Sequence, residues 1–182
     1  MIDLAVSAWF HAHLHPTLTQ LMLVLAHWHS TPGLLAMTAL LGWALQRAGR
    51  SWWLLALVLS VPGVMLLNVG VKHLVQRARP QFDDPVLVLT TYSFPSGHTA
   101  GATVFYGFLA AYLATRPRAK RWQGWIVAVA AGMILLVGVS RIYLGVHYLT
   151  DVIAGMVEGV LWLALCLSGV RALRRRREDP TA

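Results

Sequence analysis

Acidic residues are scarce, seven in 182, and charged residues of either sign make up only 12% of the chain. Soluble domains carry about a quarter charged residues, so this shortage excludes an ordinary water-exposed fold. Cysteine is nearly missing as well. Cys166 stands alone in an apolar run, which rules out a disulfide framework and a cysteine metal site and leaves it a packing role. The opening Met1-Ile2-Asp3-Leu4 lacks a positive n-region and a cleavage site, so no removed signal peptide is expected and the N-terminus should stay in the mature protein. Repeats and low-complexity segments are also lacking. One membrane-embedded domain over residues 1–182 is the expectation.

What the chain has in quantity is apolar sequence, 57% of residues, with a mean hydropathy of +0.60. The expected fold is all-α: a polytopic membrane protein of six transmembrane helices, after an interfacial segment over residues 1–15 that carries Ile2, Leu4, Trp9 and Phe10 among polar positions. The six-helix core covers 16–172, and a basic cytoplasmic tail covers 173–182. Spans are expected at about Pro16 to Trp28, Pro32 to Gln46, Trp52 to Gln76, Ser96 to Ala114, Trp125 to Val139 and Tyr148 to Val170. The first is short against the roughly 20 residues a bilayer demands. His11, His13 and His15 invite a metal reading, but alternating histidines share a side only in a strand and no motif stands behind it.

A net charge of +8 raises the question of nucleic acid. A basic binding face needs its cations together on solvated surface, whereas these punctuate hydrophobic runs, so no nucleic-acid partner is expected. Eleven of the fifteen Lys and Arg fall in three places: Arg47 and Arg50; Arg116, Arg118, Lys120 and Arg121; and Arg171 with Arg174 to Arg177. Six spans put all three on one face, which the positive-inside rule makes cytoplasmic. Lys72, Arg77, Arg79 and Arg141 then fall at the opposite face. Arg77 reads as a helix-end side chain snorkelling to water, but the other three ask for an anion, because a cation within a membrane helix costs about 2.5 to 3.5 kcal/mol.

These cations belong to three clusters. Lys72 and Arg79 are seven apart, so a helix continuing through them would set both on one face about 10 Å apart. Pro95-Ser96-Gly97-His98 before an apolar run reads as a helix start, with Ser96 as cap and Gly97 allowing close approach, and a helix N-terminus suits a phosphate oxyanion. Ser140-Arg141 precedes His147 and Asp151, and the four-residue spacing lets the Asp151 carboxylate hold one imidazole nitrogen and free the other as nucleophile or base. Which histidine attacks stays open at this level. Asn68 and Gln76 flank Lys72 by a turn each and read as supports; Glu158, seven residues beyond Asp151, reads as structural in preference to cavity-lining.

Lys72 with Arg79-Pro80, Pro95 to His98, and Ser140-Arg141 with His147 and Asp151 match without departure the three-part pattern of the type 2 phosphatidic acid phosphatase family, which the chain resembles over about residues 16 to 172. The resemblance implies a six-helix fold and removal of phosphate from a membrane lipid with no metal or other cofactor. It implies that His147 attacks phosphorus and forms a phosphohistidine, that Asp151 orients it, and that His98 protonates the leaving oxygen and then activates water. Lys72, Arg79 and Arg141, with Ser96 and the Gly97 N–H, would hold the phosphate oxygens. Opposite protonation demands on His147 and His98 predict a bell-shaped pH profile.

The short loop from Gln81 to Phe94 resembles the compact bacterial members of that family that act on undecaprenyl diphosphate, phosphatidylglycerophosphate or phosphatidic acid. A site facing outward from the bacterial cell (inner) membrane, on the periplasmic or extracellular side with the C-terminus cytoplasmic, favours undecaprenyl diphosphate. Three rivals exist: a serine hydrolase using Ser96, His147 and Asp151, which leaves three cations idle; a lipid phosphotransferase; and a non-enzymatic anion or lipid transporter, which has no need of a His held by an Asp. Beyond the lipid substrate and the bilayer the sequence names no partner, and apolar faces toward lipid and toward a second copy look alike.

Overall fold

The computed structural model describes residues 2–178, and within them the regular structure is helical: α1 (Ile2–Ala12), α2 (Pro16–Trp28), α3 (Thr31–Arg47), α4 (Ser51–Val75), α5 (Gly97–Ala114), a 3-10 turn (Pro117–Trp122), α6 (Gln123–Tyr143) and α7 (Leu149–Glu178). By length and composition, α4, the 3-10 turn continued by α6, and α7 are long and apolar enough to cross a membrane. Prolines mark several starts. Pro16 and Pro32 sit in the first turns of α2 and α3, where a missing N–H leaves no bond unmade.

α5 is the innermost helix, and α3, α4, α6 and α7 pack around it. Its sequence explains this place: Gly101, Ala100 and Ala102 let neighbours approach, and Phe105 and Phe108 fill the space beyond. The core joins Ala100, Val104 and Phe108 to Leu34 and Leu45 of α3, Leu57, Val61 and Val64 of α4, and Val170 of α7. Gly155 and Gly159 of α7 face the α5 backbone so closely that a Cβ on either would lie within 3 Å of a carbonyl oxygen. Large apolar residues such as Leu66, Leu74, Val129 and Leu161 point outward, as they do in a protein whose solvent is lipid.

The five helices α3 to α7 occupy the places expected of the second to sixth spans. The expected first span is shorter than the others. α2 has 13 residues, about 20 Å of helix against a hydrocarbon core of about 30 Å; it starts beside the end of α6, and His29 at its far end bonds the Tyr106 hydroxyl of α5 at 2.8 Å. The Tyr143 hydroxyl at the foot of α6 accepts the His15 N–H at 2.8 Å. Further along α2, Met22, Leu23 and Ala26 pack into the cluster formed by Tyr143, Leu144 and Val146. Hydropathy alone does not reveal these contacts.

Other boundaries moved too. α4 stops at Val75, where Gln76 takes a left-handed conformation (φ 51°) and its N–H caps the Lys72 carbonyl at 2.9 Å. Lys72 and Arg79 are therefore not on one helix face: Arg79 lies in the loop. α6 runs past Val139, so Ser140 and Arg141 belong to its last turn. α7 runs past Val170 through the basic stretch to Glu178; residues 179–182 of the expected tail lie outside the described ones.

The three basic groups do share one end. Arg50, Arg116, Arg171 and Arg174 line a single cavity of about 430 Å³ with Trp52 and Trp53, and Arg177 lies over the Trp52 ring at 5.7 Å. Lys72, Arg79 and His147 sit at the opposite end.

Candidate active site

At the end away from the basic groups, the loop 76–96 folds over the bundle, and the side chains of two cations hold it down. Lys72 reaches up from α4 and its Nζ donates to the carbonyls of Tyr92 (2.8 Å), Ser93 (3.2 Å) and Pro95 (2.8 Å). Arg79 donates to the Thr91 carbonyl through Nε (2.7 Å) and to the Val146 carbonyl through Nη1 (2.5 Å). The same Nη1 lies 3.3 Å from His147 Nε2. Burial works to lower the Arg79 pKa and the Asp151 carboxylate works to raise it; the net direction is downward.

His147 is buried in the turn between α6 and α7, where Gly145 adopts φ 69°. Its Nδ1 faces Asp151 Oδ2 at 3.4 Å, beyond a formed hydrogen bond, and has no other partner among the described residues. Nε2 is left toward Arg79 and the cavity. Burial pushes the imidazole down to about 3, with Asp151 opposing and the Arg79 charge assisting. His147 is therefore neutral at ordinary pH.

Asp151, fully buried, is already occupied. Its Oδ2 accepts the Ser93 hydroxyl and the Tyr148 N–H (2.9 Å), and its Oδ1 accepts Arg77 Nη1 (2.7 Å). Its backbone carbonyl accepts the Ser96 N–H at 3.0 Å, tying α7 to the start of α5. Ser96 occupies the N-cap of α5 but makes no capping side-chain bond. Its hydroxyl accepts from Thr99 instead (3.0 Å).

One cavity of about 600 Å³ brings together Lys72, Arg79, Gly97, His98 and His147. Arg141, 1% exposed, stands just behind, within electrostatic reach of Lys72, Arg79, His98 and His147. Its Nε and Nη1 are buried with no hydrogen-bond partner among the described residues. Buried donors left unmade cost about 1 to 3 kcal/mol, so the site is built to receive an acceptor. Ser96 is fully buried and is not a wall of this cavity. Away from the cations the cavity continues past Leu34, Leu35, Pro62, Met65, Leu66 and Val69 between α3 and α4.

Supporting residues fall where their spacing suggested in one case and not in another. Asn68 Nδ2 donates to Glu158 Oε2 at 2.7 Å, and Asn68 Oδ1 fills the place a Cβ on Gly97 would take, 2.9 Å away; Glu158 thus acts through Asn68 on the turn carrying His98. Gln76 serves as the helix cap. His11 is bonded to Asp84 Oδ1 (2.8 Å) and stacked on Phe82 at 4.0 Å, and His13 is bonded to the Trp9 carbonyl. No group of three or more metal-ligating side chains occurs among the described residues.

Sequence reasoning passed over Ser93 and took Arg77 for a helix-end side chain. Ser93 lies in a loop of unremarkable composition, and its bond to a residue 58 positions away carries no local signal. Arg77 was assigned to snorkelling, yet it points inward. Its two-residue spacing from Arg79 is the one hint the chain offers.

A membrane helix bundle whose polar cavity gathers three histidines, a lysine and an arginine beside an apolar passage has the architecture of a phosphatase for membrane lipids. The chain belongs to the PAP2 superfamily, whose family model matches residues 51–175. It is 30% identical over 164 residues to phosphatidylglycerophosphatase B of Bacillus subtilis (strain 168), covering 90% of this chain and 80% of that one. It is 34% identical over 110 residues to an undecaprenyl-diphosphatase of Sulfolobus acidocaldarius, covering 58% of this chain and 49% of that one. Among solved structures it is similar to the transmembrane PAP2-type phosphatidylglycerolphosphate phosphatase of Bacillus subtilis, with a TM-score of 0.86, 30% identity and coverage of 93% and 85%. Aquifex aeolicus LpxE shares the fold at a TM-score of 0.73 and 24% identity, over 92% of this chain and 96% of that one. The protein is a membrane lipid phosphatase.

Proposed function

We propose that the protein hydrolyses the phosphate ester of a phosphatidylglycerophosphate-like lipid through a phosphohistidine on His147. The observation carrying this reading is the placement of His147, with Nδ1 toward Asp151 and Nε2 toward Arg79, in the same cavity as Lys72 and His98. Nε2 attacks phosphorus; the bond to the lipid oxygen breaks, and His98, protonated once the anionic phosphate lies beside it, gives that oxygen its proton. Neutral His98 then takes a proton from water, whose oxygen displaces His147 and releases inorganic phosphate. Lys72, Arg79 and Arg141, with the Gly97 N–H, stabilise the charge on the remaining oxygens, and Asp151 orients the ring. Ser96 supports the turn from behind. No metal enters these steps.

The apolar passage between α3 and α4 suits the chain of a lipid substrate, and the similarity to a phosphatidylglycerophosphatase along most of both chains supports that head group. Undecaprenyl diphosphate, favoured by the sequence alone, is the second reading. It draws on the site lying opposite the arginine-rich end, which the positive-inside rule would make cytoplasmic in a bacterial inner membrane.

The test is phosphate release by purified protein in detergent with EDTA, on phosphatidylglycerophosphate, undecaprenyl diphosphate and phosphatidic acid, with His147→Ala alongside. Release and an acid-labile phosphoenzyme in the wild type, both lost in a folded variant, are expected. A fully active His147→Ala refutes the assignment, and the substrate ranking decides between the two lipids.

A further inference from the structure

Arg77 lies outside the three clusters, yet it is among the most fully bonded side chains at the site. Nη1 donates to Asp151 Oδ1 and to Thr150 Oγ1, each at 2.7 Å, and Nη2 donates to Asp3 Oδ2 at 2.8 Å. The guanidinium also lies over the Tyr148 ring at 4.2 Å. Asp3, in the first turn of α1, accepts the Thr150 N–H (3.0 Å) and the Thr150 hydroxyl (2.5 Å) as well. A snorkelling side chain turns its head to water. This one turns it to a carboxylate with no exposure.

The planar fork of an arginine fixes direction as well as charge. One arm of Arg77 is committed to Asp151 and the other to α1, so the setting of the catalytic carboxylate depends on a helix more than 70 residues upstream. We propose that Arg77, held by Asp3, is a positioning residue that sets how firmly Asp151 engages His147, and that α1 is a strap completing the site. This rests on the reading of His147 as nucleophile with Asp151 behind it.

The sign of the effect follows from the charges. His147 is surrounded by Lys72 from α4, Arg79 from the loop, His98 from α5, Arg141 from α6 and Asp151 from α7. Asp151 is the one anion in that set. Arg77 draws on the same carboxylate from the far side, and so weakens its hold on the imidazole. Without Arg77 the uncompensated carboxylate favours a protonated His147. A protonated ring does not attack, so the acid limb of kcat/KM moves to higher pH.

The experiment measures kcat/KM against pH, with thermal unfolding in detergent, for wild type, Arg77→Gln, Arg77→Lys and Asp3→Asn. Arg77→Gln is expected to raise the acid limb by about one pH unit, in the range that one neighbouring charge commands; Arg77→Lys should return much of it, and Asp3→Asn should move it less but in the same direction. A limb that stays in place while the rate falls evenly at all pH overturns the proposal in favour of a purely structural Arg77. A raised KM with an unmoved limb overturns it in favour of direct contact with phosphate. Should Arg77→Gln fail to fold, Asp3→Asn decides by the same reading. The underlying nucleophile assignment fails on a separate readout, the phosphoenzyme and the activity of His147→Ala.

Discussion

Gly155 of α7 lies against the Ser96 carbonyl at the mouth of α5, so close that a Cβ would stand 2.6 Å from that oxygen and 3.3 Å from the Ala100 nitrogen. Both are backbone atoms, so no rotamer change relieves the contact. Gly155→Ala must push α7 from α5, and with it loosen the 3.0 Å bond from the Ser96 N–H to the Asp151 carbonyl. Overpacking of this kind costs about 1 to 3 kcal/mol. A lowered unfolding temperature in detergent is expected, with at least tenfold lower kcat/KM, because the displaced segments carry His98 and Asp151. An unchanged melting curve would mean the two helices are not in fixed contact.

The position of His147 predicts the shape of the pH profile. Burial holds its pKa near 3, against about 6.5 in an unfolded chain. The neutral form persists in the folded protein well below the ordinary imidazole range. The acid limb of kcat/KM assigned to His147 therefore lies clearly below pH 6.5, displaced from the bell that unperturbed histidines would give. The same shift is linked to stability: between the two values the unfolded chain binds the extra proton, so stability is intact above about pH 6.5 and is lost as pH falls toward 3. Unfolding temperature against pH should fall more gently in His147→Ala than in the wild type. Parallel curves would remove His147 from the acid response.

Arg141 predicts an anion response. Its unmet Nε and Nη1 await an acceptor, and a tetrahedral oxyanion such as orthovanadate supplies several. Vanadate should raise the unfolding temperature of the wild type and inhibit it. Arg141→Gln should lose most of that rise while being no less stable than wild type without the anion, since it removes a buried and uncompensated cation. Equal stabilisation of both proteins would place the anion elsewhere.

The sequence reported chemistry more faithfully than path. Lys72, Arg79, His98 and His147 meet in one cavity although they come from two helices and two connecting segments, because their types and order alone narrow what they do. Where the chain turns was harder to read. The end of α4 at Gln76 depends on one residue entering the left-handed region without glycine, and this put Arg79 in a loop instead of on the Lys72 face. α2 has the composition of a short span, and its contacts with Tyr143 and Val146 leave no mark on hydropathy. Arg77 and Ser93 act on Asp151 across more than 55 residues of chain, and no periodicity records a contact of that separation. Asn68 was legible from its place one turn before Lys72, whereas its bond to Glu158 was not.

The first turn of α1 and the last turns of α7 lie in different surroundings. Asp3 is tied to Thr150 and Arg77 at the end that holds Lys72 and His147, while Arg174 lines the cavity at the far end. Enzyme reporters fused ahead of α1 and behind α7 are thus expected to work in opposite compartments, and a single pair of fusions tests the sidedness of the site.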